Sequence, residues 1–284
     1  MKMFTLFLMI FICFKGQFVH AQEWSCQTIL EEKIVDHQTF QFCQNKFPWY
    51  PRPIRFIVNK SQISESKSVV LYLHGHLIGG FAPFYDKKLN NTYADFFNFY
   101  LKALSQNKND EYPILVMPES LGNCLTFDQF FKDPQQALLF FNSINKFFPK
   151  VSEYHFSGHS GAYRALNQLA KLVVQNKLNL NVQSVGLFDA VYASMPDLMN
   201  LIKRQNINTD SFVYFNSYVV GSKQSAQKFS SLQAIEVQKM ISDSSIKIFY
   251  IHRPLASYEK ESLLEQHFRV LERASYIDYL NLIK

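Results

Sequence analysis

Glycine and proline are scarce in this chain, 9 and 10 residues in 284, too few for a collagen-like repeat or a low-complexity tract. Charge is sparse as well: 18% of residues are Asp, Glu, Lys or Arg, against 48% apolar. A chain this apolar can bury a core, which excludes a disordered tail. No basic run interleaved with aromatics occurs and the formal charge is only +6, so nucleic acid is not an expected partner. The 4 cysteines include no C-x-x-C pair of the kind that holds structural zinc, and no metal is expected. Neither G-x-x-x-x-G-K nor G-x-G-x-x-G is present, so no phosphate cradle or dinucleotide fingerprint implies a cofactor. Phenylalanine, at 28 residues, is abundant, and we read it as a compositional bias rather than a functional surface.

The apolar run of membrane-segment character is confined to the N-terminus. Met1-Lys2-Met3 gives a positive start, and residues 4–14 are apolar but too few to span a bilayer comfortably. Val19 and Ala21 are acceptable to signal peptidase three and one positions before a cut, so residues 1–21 are expected to be a signal peptide. Gln22 then begins a single domain, 22–284, whose charge falls from +6 to +4 with the loss of Lys2 and Lys15. The alternative, an uncleaved membrane anchor, is disfavoured because Gly16, Gln17 and His20 interrupt the run. Cys13 follows Ile12 rather than a small residue, which argues against lipid attachment.

The reading is therefore a secreted or periplasmic protein with no stable membrane span, in a compartment where disulfides form. Cys26, Cys43 and Cys124 remain, an odd number. Cys26 with Cys43 is the favoured pair, since both precede the main sheet, and closing so short a loop contributes roughly 3 kcal/mol in the chain-entropy model. Cys124 stays open as a partner. Left free, it reads as a small buried residue, because no adjacent His would activate it.

Beyond residue 65 short apolar runs alternate with helical patterns. Runs at 69–73, 113–117, 154–156, 185–188, 212–220 and 246–251 are continuous rather than alternating, as in parallel strands buried on both faces. Helices are expected at 91–105, 134–148, 161–174, 196–202, 225–241 and 268–283. Residues 33–59 read as antiparallel strands. No repeat or linker divides the chain, and the connections leave little room for a large lid.

Chemistry collects at the C-terminal ends of these strands, where open α/β sheets place ligands. The sharpest signal is Gly158-His159-Ser160-Gly161-Ala162, between an apolar strand and an amphipathic helix. A nucleophile elbow puts Ser in a tight strained turn with a helix N-terminus behind it, and requires small residues two before and two after. Gly158 and Ala162 satisfy that. Ala departs from the commonest G-x-S-x-G form by one methyl group, and the competing reading of Ser160 is an ordinary helix cap.

With this element the sequence resembles the α/β-hydrolases, within them the compact serine esterase, lipase and peptidase types, over most of the chain from Ile54 onward. Leu71-Tyr72-Leu73-His74-Gly75-His76 looks like the strand and His-Gly loop that bear part of an oxyanion hole. His267-Phe268-Arg269-Val270-Leu271 looks like the segment carrying the base. The resemblance implies a three-layer fold, a mostly parallel central sheet with antiparallel N-terminal strands, and hydrolysis with Ser, acid and His in that chain order. It implies no substrate.

Among the eight His residues, His20 leaves with the signal and His37 precedes the parallel sheet. His155 lies within a strand, where a packed role is expected, and His159 points away from Ser160 by strand alternation. His74 belongs to the loop motif. His267 is the expected base, with a loop before it and a helix after it, and His252 is the alternative. Asp189, which ends the strand after the elbow helix, is the expected acid, because Gly221-Ser222-Lys223 offers no carboxylate after the next strand. Its competing reading is a turn or cap residue.

Backbone donors suit an oxyanion hole because they are already fixed when charge develops. Gly161 supplies one, and His76 the other, with Leu77 as alternative. Arg164 is read as the partner of a neighbouring carboxylate, or of an anionic substrate group. Glu119 is left unassigned. The expectation is a cofactor-free serine hydrolase using Ser160, Asp189 and His267 on an ester or thioester, with an amide or peptide second. The contrasting expectation is a catalytically silent binding protein on the same fold.

Overall fold

The structure, a computed structural model, describes residues 24–74, 96–106, 112–120, 125–188, 190, 195–204, 212–217, 247–252, 279 and 283. The chain enters its sheet as an antiparallel meander of β1 (Thr28–Val35), β2 (Gln38–Phe47) and β3 (Tyr50–Asn59). Asp36 and His37, at φ 49° and 66°, form the two-residue turn between β1 and β2. Two successive positive φ values match the right-handed twist of a hairpin. The Cys26–Cys43 disulfide, with 5.5 Å between Cα atoms, clips the segment before β1 onto β2. Trp24 lies just before it, in ring contact with Phe56, Phe147 and Phe148.

Six parallel strands follow: β4 (Ser68–Leu73), β5 (Ile114–Pro118), β6 (Glu153–His159), β7 (Val182–Phe188), β8 (Phe212–Ser217) and β9 (Lys247–His252). Among the described residues one nine-stranded sheet results, ordered β1-β2-β3-β5-β4-β6-β7-β8-β9, with β3 antiparallel to β5. Every residue of β4, β5 and β7 is buried, the reason the apolar runs at 69–73, 114–117 and 185–188 are continuous, although β7 also buries Gln183 and Ser184.

Strand alternation splits this burial between two faces. Val69, Leu71 and Leu73 belong to the main core, with α2 (Leu125–Lys132), α3 (Pro134–Phe147), α4 (Tyr163–Val174) and α5 (Pro196–Arg204). Between them in sequence, Val70 and Tyr72 face the opposite side, where α1 (Phe96–Gln106) brings Phe97 into a stack on Phe42. On that second side Tyr279 fills the space above Gly186, where a Cβ would stand 2.9 Å from its ring. The three layers and the antiparallel N-terminal strands are as expected from the sequence.

The helix α2 was not. It is eight residues long, and Asp133 ends it while capping the next: its carboxylate accepts from the Gln135 N–H at 2.9 Å, with Pro134 in the first helical position. The cap signal at 133–134 is strong enough to hide a short helix directly before it. The helices expected at 225–241 and 268–283 lie outside the described residues, apart from helical Tyr279 and buried Ile283. Cys124 lies outside them too. No described helix is long and apolar enough to cross a membrane.

Candidate active site

β6 runs extended to His159, at φ −113° and ψ 141°, and the next residue, Ser160, turns sharply into the left-handed region at φ 54°. A non-glycine residue held there is strained, and such strain persists only where the surroundings impose it. Here the imposition is visible. The turn Ser160–Ala162 is a single 3-10 turn leading into α4, and α4 buries Tyr163, Ala165, Leu166, Leu169, Ala170 and Leu172 against the sheet. A Cβ on Gly158 would stand 2.9 Å from both the Ala162 Cβ and the Leu166 Cδ1, and 3.5 Å from the Leu73 carbonyl oxygen. Glycine is thus obligatory at 158, whereas 162 accommodates one methyl group. Ser160 is neither a mid-strand nor a mid-helix residue: it sits at the crest, 9% exposed, with the N-terminus of α4 behind it.

β4 ends beside this crest, with β5 on its far side. Leu73 pairs with Gly158, so His74 emerges next to His159 and Ser160. The His74 ring is buried, packed edge-on to Phe127 at 4.9 Å, and its Nε2 accepts the Ser120 N–H at 3.1 Å. An accepting Nε2 puts the imidazole proton on Nδ1. Ser120 follows Glu119, whose carboxylate meets Arg55 at 3.5 Å and Arg52 at 3.9 Å. Glu119, left unassigned from sequence, is therefore an ion-pair residue at the end of β5.

Of the expected site residues, Ser160 and Gly161 are described, Gly161 directly following the serine in the same turn. His76, Asp189 and His267 lie outside the described residues, as does Leu77. The main chain of His252 ends β9, three strands from β6. Phe188, the residue before Asp189, pairs with His159 on the adjacent strand.

His155 has the packed role expected of it. Its Nδ1 meets the Ser184 Oγ at 2.7 Å, and that hydroxyl in turn meets the Tyr279 Oη at 3.0 Å. Burial pushes its pKa down to about 3, so the ring is neutral at any physiological pH. Arg164 is exposed. Its Nε donates to the Tyr163 hydroxyl at 3.0 Å, and its charge acts on Asp128 of α2. Burial raises the Asp128 pKa to about 6, partly countered by Arg164 and by a backbone hydrogen bond. Asp128 escaped the sequence reading along with α2 itself. Among the described residues no group of three His, Cys, Asp or Glu side chains is arranged to hold a metal ion.

No sequence-family model and no curated protein sequence matches this chain. Solved structures do. One designated FAE superposes with a TM-score of 0.50 at 13% identity, covering 92% of this chain and 96% of its own. A ferulic acid esterase from Anaeromyces mucronatus reaches 0.48 at 12% identity, covering 90% and 93%. An S-formylglutathione hydrolase from Agrobacterium tumefaciens reaches 0.46 at 12%, covering 89% and 98%. Identities this low speak to architecture alone. With its mostly parallel sheet, antiparallel N-terminal strands, covering helices and strained Ser160 turn after β6, the chain has the α/β-hydrolase fold.

Proposed function

We propose that this protein is a secreted or periplasmic serine hydrolase that cleaves an ester or thioester, with amide or peptide hydrolysis as the second reading. The observation that carries the reading is Ser160 itself, a non-glycine residue at φ 54° where a buried strand meets a helix N-terminus, with Gly158 cleared to allow it. A helix cap needs no such backbone, whereas a nucleophile presented at the crest of a sheet does. The Cys26–Cys43 disulfide supports an oxidising compartment.

In the mechanism, Ser160 Oγ attacks the substrate carbonyl carbon while His267 takes its proton. Asp189 holds the imidazole in the competent tautomer and stabilises the imidazolium. The N–H groups of Gly161 and His76 receive the developing oxyanion, an arrangement that is effective because backbone dipoles do not have to reorganise as charge appears. The tetrahedral intermediate collapses, the imidazolium protonates the departing alcohol or thiol, and an acyl-Ser160 ester remains. Water, deprotonated by the same imidazole, then attacks that ester and releases the acid. One point favours the acid: Asp189 directly follows the strand paired with His159.

The test is labelling of the purified mature protein with a fluorophosphonate. Wild type should be modified at Ser160, and Ser160→Ala should fold and remain unmodified. Clean modification of another serine would overturn the assignment. Absence of any modification would favour the silent binding protein.

A further inference from the structure

We infer that Glu119 is a positioning residue of the reaction centre, acting through Ser120 and His74 on the main chain beside Ser160. This rests on the hydrolase reading above. Glu119 is held to β3 at four points: its N–H donates to the Pro53 carbonyl at 3.2 Å, its carbonyl accepts the Tyr50 hydroxyl at 2.6 Å, and its carboxylate meets Arg55 and Arg52. Burial and the nearby Glu119 carboxylate push the Tyr50 phenol far above its ordinary pKa, against a smaller opposing effect of Arg52, so it remains a donor.

The Arg55–Glu119 pair is nearly dry, with side chains 8% and 10% exposed. A pair like this gains little net stability, because desolvation offsets the attraction. What it does supply is direction: Glu119 and Ser120, just after β5, have one place to be. From there the Ser120 N–H reaches the His74 Nε2, and the His74 ring also packs edge-on to Phe127. His74 is consequently fixed from the residues that follow β5 and from α2, although it directly follows β4. Since Leu73 pairs with Gly158, the main chain of His74 itself stands beside the end of β6, next to the turn that carries Ser160. A shift of Glu119–Ser120 moves His74 relative to Ser160, without touching the serine or any group that exchanges protons.

Such a residue acts on the transition state more than on ground-state binding. The experiment compares wild type, Glu119→Gln and Tyr50→Phe on a p-nitrophenyl ester, with kcat expressed per fluorophosphonate-titrated site, and measures inhibition by a trifluoromethyl ketone. Glu119→Gln should lower kcat by roughly ten- to a hundredfold, less than or equal to the loss of one oxyanion donor, with KM changed by less than about threefold. Ketone affinity should fall in step with kcat/KM. Tyr50→Phe keeps its ring in the core and should show the same pattern more weakly, so it decides the matter if Glu119→Gln does not fold. A merely structural role would reduce the number of titrated sites and leave kcat per site intact. Unchanged kcat per site in every variant that folds, with a reactive wild type, overturns this inference alone. A wild type that neither turns over nor reacts overturns the hydrolase reading first, and this inference with it.

Discussion

Gly158 and Ala162 face each other across the turn that carries Ser160, so closely that a methyl group on Gly158 would stand 2.9 Å from the Ala162 Cβ. The same methyl group would press on Leu166, which is fully buried. Relief requires the strand and helix to separate, and that unbends the serine. Gly158→Ala should therefore destabilise the fold by about 1–3 kcal/mol, the usual range for overpacking. It should also lower kcat by at least about tenfold through displacement of Ser160. Ala162→Gly, which opens the contact, should retain activity within several-fold. Thermal melting and steady-state kinetics check both, and a Gly158→Ala protein with wild-type values would refute the contact as a determinant of the site.

The N-terminal clip gives a separate prediction. Cys26 and Cys43 are 17 residues apart, and the disulfide joins the segment carrying Trp24 to β2. Replacing both cysteines by serine should cost roughly 3 kcal/mol in the chain-entropy model. Urea unfolding should show that loss, and reductant should reproduce it in wild type while leaving the double variant unaffected. Equal midpoints for all three would mean the clip contributes nothing.

These two features mark what was legible in the sequence. Buried parallel strands announce themselves as continuous apolar runs, so the runs expected at 69–73 and 113–117 fall within a residue of β4 and β5. The strained turn at Ser160 was legible because its steric demand is local, written into the size of residues 158 and 162. Helix α2 was not, since eight residues ending at a strong cap carry too little periodicity to stand apart from α3. Glu119 was not, because its partners Tyr50, Pro53 and Arg55 come from a strand more than sixty positions away, joined to it only by the register of β3 on β5. The role of Tyr279 against Gly186 and Ser184 was hidden for the same reason. Pairings of that kind are decided by tertiary structure and leave no spacing signal.

Asp128 supplies a prediction in pH. Its carboxyl, whose buried Oδ1 has no hydrogen-bond partner while a backbone hydrogen bond reaches the group, titrates near 6 in the folded protein and near its ordinary value of 3.8 when unfolded. Between those values the native state binds more protons than the unfolded state, so stability contributed by the protonated form is present below about 4 and lost as pH rises through 6. Asp128→Asn, which cannot ionise, should melt at the wild-type temperature at pH 3.5 and above it at pH 7. Partial exposure reduces the size of the gap but not its sign. A variant less stable than wild type at pH 7 would instead mean that the Arg164 charge outweighs burial.

The acid and base are the assignments with most at stake. Two of the histidines are accounted for by the sheet: His155 is neutral and bonded to Ser184, and His74 accepts from Ser120. With His267 as the proposed base, His267→Ala should lower kcat by several orders of magnitude, whereas His252→Ala should keep most of it. Asp189→Asn preserves shape but turns the imidazole to the wrong tautomer, and should cost about four orders of magnitude if the trypsin-type triad is a fair guide. Activity of that variant should recover partly at high pH, where hydroxide substitutes for the missing base. Reversal of the two histidine effects would move the base to His252. A loss below about tenfold for Asp189→Asn would remove Asp189 from the triad, since displacement of a neighbouring group alone produces that much. Ser160 and His267 would then act as a dyad or with another acid, and the pH profile of kcat would still show a single group titrating on its acid limb.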